Sequence, residues 1–137
     1  MQRRLSLKEH ALRLIRGMDL RKEIEIYVTK HAIKAGAIVS CAGCVSEINI
    51  RTADGVSEYH EQKDYEIVSL QGTVSMNGCH IHIALSDQSL RTIGGHLKYG
   101  CIVNTTAEIV LLELESFTFS REMDEATGYP ELMISSQ

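Results

Sequence analysis

The chain has 137 residues, 44% of them hydrophobic and 23% charged, with a formal net charge of −4. Those values describe an ordinary globular sequence with enough apolar material for a core, and they exclude extensive disorder. No apolar run approaches the roughly 20 residues that span a bilayer, and the acidic balance lacks the basic footprint that phosphate neutralisation leaves on nucleic-acid binders.

In chain order, the basic start, with Arg3 and Arg4, has no apolar stretch behind it and does not read as a secretory signal. A cytoplasmic protein is expected, with Cys41, Cys44, Cys79 and Cys101 as reduced thiols. Residues 10–16 alternate weakly and predict a first strand, punctuated by Gly17. Asp19 is placed to cap a helix running to about residue 35, with Leu20, Ile24, Tyr27, Val28 and His31 on one stripe and Gly36 just past the end. Residues 37–44 and 45–52 read as strands, and Ala53-Asp54-Gly55 as a hairpin turn answered by 56–60. The Cys41-Ala-Gly-Cys44 spacing falls within a strand and lacks a following helix to lower a thiol pKa, so these cysteines read as small core residues. Residues 64–75 alternate as a further strand, and Asn77-Gly78 marks the next turn. Ile93 to His96 reads as a short loop or strand edge, and 105–115 as a central strand buried on both faces. Residues 116–137 are polar and read as an irregular tail, broken at Gly128-Tyr129-Pro130. The whole reads as one α+β domain over 1–137, largely antiparallel, with one main helix and minor helices.

The segment Cys79-His80-Ile81-His82-Ile83-Ala84-Leu85 carries the most specific chemistry. In a strand, side chains two apart share a face, so the aliphatic set faces the core and His80 and His82 sit side by side on the other face. His96 follows a glycine pair that permits the backbone excursion needed to join them. Such a pattern has two physical readings. Three converging imidazoles suit Zn²⁺ or a similar divalent cation with a coordination position left open; alternatively the histidines are solvated or hydrogen-bonded across strands.

Several ordered blocks then resemble one family. They are Gly36-Ala37-Ile38-Val39-Ser40-Cys41-Ala42-Gly43-Cys44-Val45-Ser46, Tyr65-Glu66-Ile67-Val68-Ser69-Leu70-Gln71-Gly72-Thr73 and His80-Ile81-His82-Ile83-Ala84-Leu85-Ser86-Asp87. Gly94-Gly95-His96-Leu97 and Gly100-Cys101-Ile102-Val103 follow in order, with Arg13, Gly17, Asp19-Leu20 and Thr127-Gly128 at the two ends. This set resembles the plants-and-prokaryotes conserved, or PPC, domain over nearly the whole chain. The resemblance implies a homotrimer built on an antiparallel sheet, with His80, His82 and His96 as metal ligands. It also implies a DNA-associated or regulatory role, since bare prokaryotic members carry a provisional DNA-binding label. In plants the domain follows an AT-hook, an Arg-Gly-Arg-Pro element; here the single proline is Pro130 and no such element occurs.

Two functions follow as expectations. One is a trimeric metal- or ligand-binding module, with zinc the expected ion and Arg13, Arg51 and Arg91 available to an anionic partner. The alternative is a small zinc-dependent hydrolase in which Glu66 serves as general base beside a metal-bound water. DNA is the weaker partner on either reading, because the basic doublets are confined to Arg3-Arg4 and Arg21-Lys22.

Overall fold

Asp19 starts the helix in the computed structural model, which describes residues 7–137 and so leaves Arg3 and Arg4 outside the described residues. Its carboxylate accepts the backbone N–H of Lys22 at 3.1 Å, satisfying an amide that the first turn would otherwise orphan. Helix α1 runs Leu20–Lys30, with Glu23 in its first turn and Lys30 in its last, signs that suit the helix dipole. Leu20, Ile24 and Val28, spaced four apart, form its buried stripe. The helix stops short of the expected residue 35 because Ala32 turns into the left-handed region at φ 50°. Gly36 therefore opens a strand instead of capping the helix. Among the described residues α1 is the only helix; the expected minor helices are replaced by turns.

Six strands form the main sheet: β1 (Leu7–Ile15), β2 (Gly36–Arg51), β3 (Glu58–Val74), β4 (His80–Ser86), β5 (Thr92–Leu97) and β6 (Ile102–Leu114). Every pairing is antiparallel, as the turn-rich sequence predicts, in the order β1-β6-β2-β3-β4-β5. The sheet also curls back on itself, since β5 pairs with the end of β2 through Ile50↔Leu97 and Arg51↔His96. Strands β2 to β5 thus enclose a core of Ile48, Ile50, Leu70, Ile81, Ile83, Leu85 and Leu97, continuous with the α1 stripe.

Some expected boundaries merge. The two strands expected over 37–52 are one, β2, ending at Arg51, because bulges between Ile38 and Ser40, Gly43 and Cys44, and Val45 and Glu47 interrupt the alternation without ending the pairing. The strands expected at 56–60 and 64–75 likewise merge into one, β3, bounded by Glu58 and Val74. The segment read as a loop or edge around Ile93 is the regular strand β5. Strand β6 is central in order but covered on one face only. Val103, Ala107, Ile109 and Leu111 are buried, whereas Glu108 and Val110 face outward.

The irregular tail expected over 116–137 is a two-stranded hairpin, β7 (Phe117–Asp124) with β8 (Tyr129–Ser136). Gly128, at φ 76°, makes the turn rather than breaking structure. Pro130 is tolerated because a two-stranded ribbon has free edges. Buried Phe119 docks the hairpin: its N–H donates to the Lys34 carbonyl at 2.8 Å, and its own carbonyl accepts from Asn77 Nδ2 at 2.9 Å.

All four cysteines are free thiols; Cys101 is buried and the others partly so. Burial pushes the Cys41 and Cys101 thiols up to about 11, which leaves no thiolate for redox chemistry near neutrality.

Gly72 sets the distance between β3 and β4. A Cβ there would lie 2.0 Å from the His80 carbonyl oxygen and 2.8 Å from Ile81 Cα, both backbone atoms of the paired strand. Gly72→Ala is therefore expected to cost about 1–3 kcal/mol in chemical denaturation, the range of core overpacking, and to displace His80 with the strand that carries it.

Candidate metal centre

His80 and His82 alternate along β4 with buried Ile81, Ile83 and Leu85, so both imidazoles stand on the outer face of the sheet. The β4–β5 register sets His82 directly opposite His96, which brings the third imidazole to the same face. One nitrogen from each ring lies within 4.8 Å of the other two. Ring centroids are 4.9, 5.2 and 5.6 Å apart, and the Nε2 atoms of His80 and His82 are separated by 3.1 Å.

The donor set fits a divalent cation. Nitrogens bound at about 2.0–2.1 Å to one tetrahedral ion stand roughly 3.3 Å apart, close to the His80–His82 spacing. Nδ1 of His96 is buried and has no hydrogen-bond partner, a cost that a ligand or ion beside the ring removes. Arg21 of α1 fixes the frame around these residues. Its guanidinium donates to the carbonyls of Cys79 at 3.0 Å and Leu97 at 2.6 Å, the residues that precede His80 and follow His96. Its Nε donates to Glu25 at 2.9 Å, so every arm of the guanidinium is engaged.

Burial lowers the His96 imidazole to about 4, with the guanidiniums of Arg51 and Arg21 acting in the same direction. His80 is also lowered, first by burial and then by His82, Arg121 and Arg51. Both rings are therefore held in the uncharged form that a metal requires. A cavity of about 500 Å³ opens beside them, lined by His80, His96, Arg51, Arg121, Tyr129 and Glu131.

Of the arginines expected to serve an anion, Arg51 alone reaches this place, as the β2 neighbour of His96. Arg13 lies on the outer face of β1 opposite Glu108, and Arg91 sits exposed in the β4–β5 turn. Glu66 is also elsewhere. It pairs with Ser86, four residues along β4 from His82 (86 − 82), or roughly 13 Å at the rise of a strand. It lines a separate depression with Asp64 and Asn104. Arg121, Tyr129 and Glu131 were not anticipated; the alternation of Phe117, Phe119 and Arg121 was the signal for the strand that delivers the first of them.

The depressed His96 value gives a pH dependence of defined sign. Between 6.5 and about 4 the unfolded chain binds a proton there that the folded chain does not. Stability is therefore complete above this window and falls as the pH drops through it. Thermal unfolding of metal-stripped protein from neutral pH downward should show that decline, and His96→Gln should flatten it.

The chain matches the Plants and Prokaryotes Conserved (PCC) domain over residues 1–115. Among curated proteins it is 42% identical over 129 residues to Bifunctional protein GlmU of Synechococcus sp. strain JA-3-3Ab, a match that takes in 94% of this chain and 21% of the relative. The chain thus spans about one fifth of the length of that protein. A hypothetical protein of Salmonella enterica superposes with a TM-score of 0.93 at 34% identity, covering 100% of this chain and 99% of the other. A metal-containing protein of Archaeoglobus fulgidus gives 0.75 at 30% identity, over 92% and 93% of the two chains. A Bacteroides thetaiotaomicron protein with a provisional DNA-binding designation gives 0.79 at 22% identity over 93% and 96%, a likeness of fold alone. The cross-strand histidine trio and the curled antiparallel sheet are thus features of a chain that belongs to the Plants and Prokaryotes Conserved (PCC) domain family.

Proposed function

We propose that this chain is a metal-binding module that holds a divalent cation, zinc foremost, through His80, His82 and His96. The observation that carries the reading is the convergence of three imidazoles on one rigid strand pair, beside a cavity with room for a further ligand. The metal-containing Archaeoglobus fulgidus relative, at 30% identity, supports it. A bound zinc ion would supply a Lewis-acidic position open to a small molecule or water. The protein's own residues fix the imidazoles through the β4–β5 register and the Arg21 clamp, and burial keeps His80 and His96 unprotonated.

The hydrolase reading stands second, because Glu66, on β3 opposite Ser86, lies too far from the histidines of its own chain to reach a water there. A DNA-associated role draws on the designation of the Bacteroides neighbour and on the family resemblance. Against it, the net charge is −4 and three arginines, Arg21, Arg51 and Arg121, are drawn into one cavity instead of spreading over an open face. Four reduced thiols suit the cytoplasm, and among the described residues no helix is long and apolar enough to cross a membrane.

Assembly as a homotrimer belongs to the same proposal. The outer face of β1, β6 and β2 exposes Ile15 and Val110 beside small neighbours, Ala11 and Ser40 opposing Val110 on its two sides. The Arg13–Glu108 pair lies between them on the same face, and an uncovered sheet face of such mixed character suits contact with another copy.

Two measurements check these statements. Elemental analysis of protein purified without a histidine tag should find about one metal ion per chain, lost in the His80→Ala, His82→Ala double variant; equal, near-zero metal in both discards the reading. Light scattering should give a trimer mass for the wild type and a smaller species for Val110→Glu, which sets a charge at the centre of the proposed contact.

A further inference from the structure

The cavity beside the histidines has a second half with chemistry of its own. Arg51 and Arg121 both line it, the first from the end of β2 and the second from the hairpin strand β7. Nε of Arg51 is buried and lacks any hydrogen-bond partner, and its guanidinium lies 5.8 Å from the centre of the Tyr129 ring. Arg121 donates to the Thr73 hydroxyl at 3.1 Å. Among the described residues neither guanidinium forms an ion pair, whereas Arg21 next to them is matched by Glu25. Glu131 is the acidic counterweight, so the two guanidiniums leave an excess of one positive charge before any cation is bound.

An unpaired buried guanidinium donor is costly unless something completes it. An oxyanion does so. Two features narrow its kind. A guanidinium fork matches a carboxylate in plane and in spacing. Phosphate sites, by contrast, favour a cradle of free backbone amides. Here the amides of Asn77 and Gly78 on the cavity wall are already donating to Ser75, so no cradle is offered there. The volume of about 500 Å³ suits a small metabolite rather than a polymer.

We infer that the cavity binds a small carboxylate, held by Arg51 and Arg121 and directed at the open side of the histidine centre. The contact with a cation rests on the metal reading above; the contact with the arginines does not. One of the two guanidiniums, Arg121, and the groups that flank it, Tyr129 and the opposing Glu131, come from the C-terminal hairpin, beyond residue 115 where the family match ends. The hairpin thus sets which acid is accepted, while the family core supplies the imidazoles.

Titration calorimetry of the zinc-supplemented full chain with malate and with succinate tests this, with inorganic phosphate as a parallel arm. Saturable dicarboxylate binding is expected, weakened at least about tenfold by Arg121→Met or by Arg51→Lys, which keeps the charge but loses the fork. Zinc content measured on the same samples should stay at the wild-type level. Glu131→Gln should tighten binding by about two- to threefold, a gain that misfolding cannot mimic. Absence of saturable dicarboxylate binding, unchanged affinity in Arg121→Met, or phosphate binding tighter than either acid overturns the inference. Repeating the titrations on metal-stripped protein separates the two readings. Arginine-dependent binding in a protein that never takes up metal upholds the carboxylate site and removes the metal; zinc uptake without arginine-dependent binding does the reverse.

Discussion

The register between β4 and β5 is the constraint on which the site depends. Side-chain alternation alone pairs His80 with His82, but only the antiparallel match of His82 with His96 brings a third imidazole to them. A slip of one residue would turn His96 into the core and Leu97 out of it. That slip is opposed twice over. Leu97 is fully buried, and the Arg21 guanidinium grips the carbonyls flanking His80 and His96 at once. The helix is therefore coupled to the chemistry without contributing a ligand. Its cap at Asp19 and its buried stripe hold Arg21 in reach, and Arg21 holds the two strands.

Charge is distributed unevenly around this frame. The protein is acidic as a whole, yet three of its arginines meet beside the histidines. Partial burial, with their field second, keeps His80 and His96 uncharged, so the ring nitrogens stay free to take a cation while the guanidiniums suit an anion. The two preferences are compatible because they face different parts of one cavity. Closure of the sheet through Arg51↔His96 makes that possible, since it brings the end of β2 to the edge where β5 would otherwise be exposed.

Much of this was legible in the sequence. The strict alternation around Ile81, Ile83 and Leu85 predicts the side of the sheet on which His80 and His82 stand, because burial of three aliphatic side chains is worth more than any alternative pairing. The cap at Asp19 and the turns at Gly55 and Asn77-Gly78 were equally readable, each having a local backbone reason. What was hidden is non-local. Bulges make the long strand β2 look like two short ones, and the pairing of β5 with β2 leaves no periodic mark on either segment. The hairpin after residue 116 was misread because its alternation is carried by Thr118, Ser120 and Glu131 as much as by apolar residues, and only one of its side chains, Phe119, is buried. The placement of Glu66 shows a limit of another kind. A carboxylate in a family block has no defined distance from a ligand until the register of β3 on β4 is known.

The tight approach of β3 to β4 at Gly72 bears on how such chains can diverge. The His80 carbonyl fills the space where any side chain would begin, and it does so whether or not the imidazole attached to the same residue binds anything. Selection on architecture and selection on chemistry therefore act on neighbouring atoms but are separable. A descendant could shed its imidazoles and remain folded as long as it kept this glycine, whereas one that lost the glycine first would surrender both.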